Sequence, residues 1–298
     1  MGGRQDNTLA SESELKIVTQ KLTLRMALLY FTMLIEQERL TYWIDNFYGY
    51  GSWDAQIWYI GYEESGGDLP EDVAEKFNYL YDSQKTFETL CDIREVYRHV
   101  AFRSGGSKAG IVSNLYEYRF DRNATLHGVW KNLIAFAHGY RNEELTDVLA
   151  YQQQRFLLPD ARKEALIKLY PLPCPHNHGW YYSWLDLPQL SFLKSRALYQ
   201  DHVYNARIDR IVENIAAYRP QVVLMYGMDN INMLKQSVQK VFTDVSFKMV
   251  KAVKQQLPQY HHADLGGTTL LITTQIPALR HNRVETGFDW LEFGKTVR

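Results

Sequence analysis

The chain has 298 residues, with 33 Lys and Arg against 34 Asp and Glu and a formal charge of −1, which excludes a surface coated in basic residues but not a local basic groove. At 46% hydrophobic and 22% charged residues it has the make-up of a folded chain with a substantial core. Its two cysteines, Cys91 and Cys174, exclude a disulfide framework and a four-cysteine zinc or iron–sulfur cluster. With no apolar run of signal-peptide or membrane-spanning form, a reducing, cytoplasmic setting without a membrane partner is expected.

After a polar start, residues 11–46 carry apolar residues at helical spacing, with Ser11 or Ser13 as cap, and are expected to form an N-terminal helical segment. "AQIWYI" is a short strand between the glycine-rich loops "YGYGSWD" and "GYEESGG". Residues 70–101 return to helix, opening with Pro70, Glu71 and Asp72. "AFRSGGSKAG" interrupts, and residues 111–150 read as mostly helical, so that 68–160 form a largely helical insertion. "ALIKLYPLPCP" is a strand stopped by prolines, and residues 193–218 form a charged helix. "PQVVLMYG" is an apolar strand leading into a helix at 228–241, and "TTLLITT" is another, followed by a loop and a final helix in "ETGFDWLEFGKTVR".

Strands that are apolar throughout and separated by helices indicate an α/β protein. The expectation is one domain over residues 1–298, a three-layer α/β/α sandwich with a mainly parallel central sheet. Ligands of such sheets bind at the carboxyl ends of the strands. Four loops follow strands, "GYEESGG", "PLPCPHNHGWYYSW", "YGMDN" and "QIPALRHNR", and they are expected to meet at one edge.

In order and spacing, these four loops over residues 55–67 and 165–298 resemble the uracil-DNA glycosylase superfamily. The first loop departs from the family pattern in lacking a proline soon after the acid. The last has Gln275 where the family has histidine, with His281 several residues on. The resemblance implies a fold of that type with extra N-terminal and inserted helices. It also implies a monomeric, monofunctional DNA glycosylase without a cofactor or metal, which flips a base out of duplex DNA and excises it. The departures point away from plain uracil towards a bulky modified pyrimidine, such as glucosylated hydroxymethylcytosine of phage DNA, and so towards antiviral defence.

Breaking a base–deoxyribose bond places positive charge on the sugar and negative charge on the departing base. The first calls for a carboxylate, assigned to Glu63 with Glu64 as the alternative. The second calls for donors, from the backbone of the glycine-rich loop or from His281. Gly61, Tyr62, Ser65, Pro173, His176, Trp180 and Tyr181 are candidates for the base pocket. Leu279 is the candidate wedge and Arg280 its phosphate partner, with Gln275, Arg283 and Lys108 as further DNA contacts. No lysine stands in the four loops to form a Schiff base, so water is the expected nucleophile.

Each feature also has a plainer explanation. Paired glutamates after a strand occur in solvated loops and helix caps, and Trp180 and Tyr181 serve equally to seal a loop onto the core, where Trp184 is expected to pack. Cys174, His176, His178, His261 and His262 lack zinc-finger spacing and read as a pocket wall rather than a metal site. Arg196, His202, Arg207 and Arg210, interleaved with acids, read as a solvated helix face. Two other functions stand beside the glycosylase: a catalytically inactive binder of nucleic acid or nucleotide, and a metal-dependent hydrolase.

Overall fold

The computed structural model describes residues 35–64, 70–103, 110–174, 180–185, 187–254, 256–278 and 287–298. Of the N-terminal segment it contains α1, Gln37–Asn46; residues 11–34 lie outside the described residues.

The protein is α/β. Seven strands, β1 (Gly49–Tyr50), β2 (Ile57–Glu63), β3 (Glu164–Tyr170), β4 (Val222–Tyr226), β5 (Lys248–Val250), β6 (Tyr260–Asp264) and β7 (Thr269–Ile272), form one sheet in the order β1-β3-β2-β4-β7-β6-β5. The centre, β3-β2-β4-β7, is parallel, with Ile57 opposite both Glu164 and Val222. These are the strands the sequence announces. Every residue of β3 and β4 is buried, because a sheet covered on both faces leaves no side for polar residues.

The outer strands correct the expectation of a mainly parallel sheet: β1 runs antiparallel to β3, and β6 runs antiparallel to both β7 and β5. β1 is two residues long. β6, "YHHAD", is only partly buried and lacks the apolar run that marks the central strands. It is held to β7 by a turn in which the Leu265 amide donates to the Thr268 carbonyl, 2.9 Å, and the Gly267 amide to Asp264 Oδ1, 2.9 Å.

The described part of residues 68–160 carries five helices: α2 (Pro70–Asp82), α3 (Ile93–His99), α4 (Leu115–Phe120), α5 (Gly128–Arg141) and α6 (Val148–Gln154). The second half adds α7 (Arg196–Tyr218), α8 (Ile231–Val241) and α9 (Trp290–Thr296). Neighbouring residues of β2 reach helices on opposite faces. Tyr59 donates its hydroxyl to the Leu133 carbonyl of α5, 2.7 Å, while Trp58 packs against Tyr218 at the end of α7. None of the described helices is long and apolar enough to cross a membrane.

α5 and α9 cross at glycines. A Cβ at Gly139 would lie 2.0 Å from the Leu291 carbonyl oxygen, and one at Gly294 2.1 Å from that of Phe136. Both obstacles are backbone, so no rotamer relieves them. Gly294→Ala is therefore expected to cost about 1–3 kcal/mol by overpacking, read as a lower urea midpoint with unchanged slope.

Two expectations fail in the second half. The solvated face expected on α7 holds for His202, which is exposed, and fails at Arg207: it is 3% exposed, and its guanidinium donates to the carbonyls of Phe47 (2.6 Å), Lys168 (2.6 Å) and Leu169 (3.2 Å) where β1 and β3 approach their common edge. His202 stacks on Phe192, and the Arg210 guanidinium lies over Phe87, both at 3.9 Å or less. Trp184, expected in the core, is half exposed, because in the 3₁₀ turn Tyr181–Trp184 it is Tyr182 that turns inward.

Candidate functional site

The strand order fixes where a ligand can enter. From β2 the chain passes to β3 on one side, then returns across β2 to β4 on the other, so β2 and β4 form the point where the winding reverses and a crevice opens beyond their carboxyl ends. A cavity of about 540 Å³ lies there. Its wall includes Gly61–Glu63, which the sequence assigns to the first loop but which extend β2, and Glu64 after them, with Cys174 from the second loop, Tyr226 at the end of β4, Gly227 and Asp229 from the third loop and Ile276 from the fourth. The four loops meet as the sequence predicts. Lys168 of β3, Arg196 and Gln200 of α7, and His127 and Trp130 at the start of α5 complete the enclosure.

Glu63 ends β2 and is clamped by α7. Arg196 Nε donates to Oε1 at 2.8 Å, the other guanidinium arm bonds Oε2, and Gln200 Nε2 reaches Oε1 at 3.0 Å. Residues 196 and 200 lie one turn apart on the same helix face, so both reach one carboxylate. The pairing holds Arg196 above its ordinary range, first through the hydrogen bond to Glu63.

Glu64 points into the protein. Tyr50 donates its hydroxyl to Oε1 (2.7 Å), as does Lys76 Nζ (3.1 Å), and Lys168 Nζ lies 3.5 Å from Oε2. Lys76 is fully buried and Lys168 is 4% exposed, so one carboxylate serves two buried ammoniums. Burial alone would raise the Glu64 carboxyl; the charges of Lys76 and then Lys168, with the Tyr50 hydrogen bond, bring it below the usual range. Lys168 also donates to the Glu63 carbonyl, 3.3 Å, so the one lysine of the cavity wall among the described residues is committed to these two residues. Gly61 leaves room for Tyr226 across the same crevice: a Cβ there would stand 2.8 Å from its hydroxyl and make the tyrosine shift.

His127 is the residue that sequence reasoning passed over. It is the N-cap of α5, and its Nδ1 accepts from the amides of Val129 (3.2 Å) and Trp130 (3.3 Å), while its ring stacks on Trp130 at 4.5 Å. Those bonds require an unprotonated Nδ1, so the proton sits on Nε2 and the ring is a neutral N–H donor at the cavity wall. Burial first, then the positive charges of Arg119 and Lys168, lower its pKa to about 3. A visible signal existed: a histidine directly before the helical run "GVWKNLIAF".

These shifts set the acid behaviour. His127 resists a proton that the unfolded chain takes up near pH 6.5, and Glu64 resists one that the unfolded chain takes up near pH 4.3; both make stability fall as pH falls. The expected slope is at most about 1.4 kcal/mol per pH unit for each group, with the histidine acting first, from pH 6.5 downward. Urea midpoints at half-unit intervals from pH 7 to 4 measure it; a flat profile above pH 5 would contradict the His127 assignment.

The remaining expected residues divide. Tyr62 lines the cavity, edge-on to Tyr170 at 4.9 Å, its hydroxyl raised by burial and then by the charges of Asp229 and Glu63. Pro173 is buried, and its carbonyl accepts from the hydroxyls of Tyr181 and Tyr182, both 2.9 Å. Trp180 donates to the Leu193 carbonyl, 2.7 Å, and packs on Tyr182 and Tyr199, so Trp180 and Tyr181 seal their loop to the core. Gln275 contributes its backbone, accepting from the Gly227 amide at 3.1 Å. Ser65, Lys108, His176, His178, Leu279, Arg280, His281 and Arg283 lie outside the described residues. His261 and His262 are on β6, beyond β7 from the cavity, and among the described residues no three His, Cys, Asp or Glu side chains are grouped to hold a metal.

No protein-family profile, curated protein or solved structure matches the chain.

Proposed function

We propose that the protein is a monofunctional DNA glycosylase of the uracil-DNA glycosylase type, which takes a bulky modified pyrimidine out of the duplex and hydrolyses its bond to deoxyribose, leaving an abasic site. The observation that carries this reading is a single cavity at the switch point whose wall holds carboxylates, Glu63 and Asp229, together with a neutral N–H donor, His127. Bond heterolysis demands that pair of opposite properties in one place. Glu63, oriented by Arg196 and Gln200, meets the positive sugar; His127 meets the negative base. The one lysine that the described residues contribute to the wall is tied to Glu64, which favours water as nucleophile. At about 540 Å³ the cavity lies within the ~300–1,000 Å³ of small-molecule sites, roomy for a bare pyrimidine and suited to one bearing a large substituent such as a hexose.

The test is alkali-sensitive strand breakage, with EDTA present, of duplexes carrying no modification, uracil, hydroxymethylcytosine or glucosylated hydroxymethylcytosine. Breaks in a modified duplex are expected, and their absence from every duplex would overturn the reading. The pairing of both loop glutamates with cations favours, as the second reading, a binder without turnover. Such a protein would retard the modified duplex on a gel and leave no abasic site.

A further inference from the structure

We infer that Asp229 is the carboxylate that activates the attacking water. This rests on the glycosylase reading and goes beyond it, since the sequence directs attention to Glu63 and Glu64. Among the described residues three carboxylates belong to the cavity wall, and they differ in what their oxygens already do. Glu63 accepts three hydrogen bonds from Arg196 and Gln200, and taking a proton would cost it those bonds. Glu64 is 2% exposed and holds two buried ammoniums and a tyrosine hydroxyl. Asp229 is exposed and forms no hydrogen bond or ion pair with the other described residues, so its lone pairs are open to a water molecule.

Its placement is nevertheless rigid. The two residues before it are tied to the loop after β7: the Gly227 amide donates to the Gln275 carbonyl and the Met228 amide to the Thr273 carbonyl, both at 3.1 Å. The Met228 side chain is wholly buried, which anchors the turn from below. Asp229 thus stands on a fixed support beside Tyr62, across the crevice from β2.

The step balances as a hydrolysis. An Asp229 oxygen takes a proton from water while the water oxygen bonds to C1′ of the deoxyribose. The C1′–N bond breaks, and its electron pair leaves on the base, where the His127 N–H meets the charge. The proton held by Asp229 passes through solvent to the released base, and one water is consumed per base.

The experiment uses the full chain and the duplex that wild type cleaves in the panel above. Asp229 is exposed, so D229N and D229A are expected to melt as wild type does. The single-turnover rate of D229N is expected to fall about 10²–10⁴-fold, the range of a lost general base, with Kd for the duplex little changed. Added formate is expected to restore part of the D229A rate and to leave wild type unaffected. A D229N rate within about threefold of wild type overturns the inference and leaves the glycosylase reading intact. A raised Kd with an unchanged rate makes Asp229 a DNA-binding carboxylate and overturns it equally. Wild type silent on every duplex removes both.

Discussion

Glu64→Gln is expected to lose about 3–5 kcal/mol of unfolding free energy, because it withdraws a negative charge that the buried ammoniums of Lys76 and Lys168 share. Glutamine keeps an oxygen for the Tyr50 hydroxyl and nearly the same shape, so the loss comes from charge and not from packing. Lys76 is fully buried and Lys168 nearly so; neither can turn to water without opening the junction of β1, β2, β3 and α2. The contrast is Glu63→Gln. Its partner Arg196 retains a quarter of its side-chain exposure and relaxes into solvent, so that variant is expected to cost about 1 kcal/mol. Adding Lys76→Met to Glu64→Gln removes one of the two buried charges that Glu64 offsets and should recover part of the loss, a coupling above about 0.5 kcal/mol in a double-mutant cycle. Urea unfolding at pH 7 reads all three; a Glu64→Gln loss no larger than that of Glu63→Gln would mean that the buried lysines are neutralised by some other route.

This junction shows what a sequence can and cannot reveal. β2, β3, β4 and β7 were legible because each is a continuous apolar run bounded by glycine or proline, and the positions of four loops follow from them. β6 was not, because only Tyr260 and Ala263 of its five residues are buried and two adjacent histidines break any apolar run, and β1 because two residues make no pattern. Glu63 and Glu64 were visible as a pair after a strand. What distinguishes them lies far off in the chain: Arg196 and Gln200 are 133 and 137 positions from Glu63, and Lys168 belongs to a strand otherwise read as apolar. Arg196 and Arg207 carry the same lesson. Interleaved with acids on a long helix they resemble solvated residues, yet one clamps a carboxylate of the site and the other closes the sheet edge, because the helix lies against β3. Charge pattern along a helix records composition; which face meets the sheet is decided by the buried row Tyr199, Val203, Ile208, Ile211 and Ile215.

His127→Asn separates the two tasks of that residue. Asparagine is among the best N-cap residues, and its side-chain oxygen can accept from the first amides of α5 as Nδ1 does now, so stability at pH 7 is expected to stay within about 0.5 kcal/mol of wild type. It does not reproduce the imidazole Nε2–H at the far side of the ring. If that donor meets the charge on the departing base, the single-turnover rate of base release falls about 10²–10³-fold, the loss found when one donor of an oxyanion site is removed. His127→Ala loses both tasks, adding about 0.5–2 kcal/mol of destabilisation from the missing cap to the same loss of rate. The two variants should also share a flattened stability profile between pH 6.5 and 5, since the group whose protonation costs native stability there has gone. A full rate in His127→Asn with the flattened profile would confine His127 to capping. The donor to the base would then have to come from the backbone of the glycine-rich loop or from the loop after β7. Loss of rate with the stability of wild type would make a neutral imidazole at a helix start the electrophile of the site, kept uncharged by burial and by the charges of Arg119 and Lys168 and oriented by two amides.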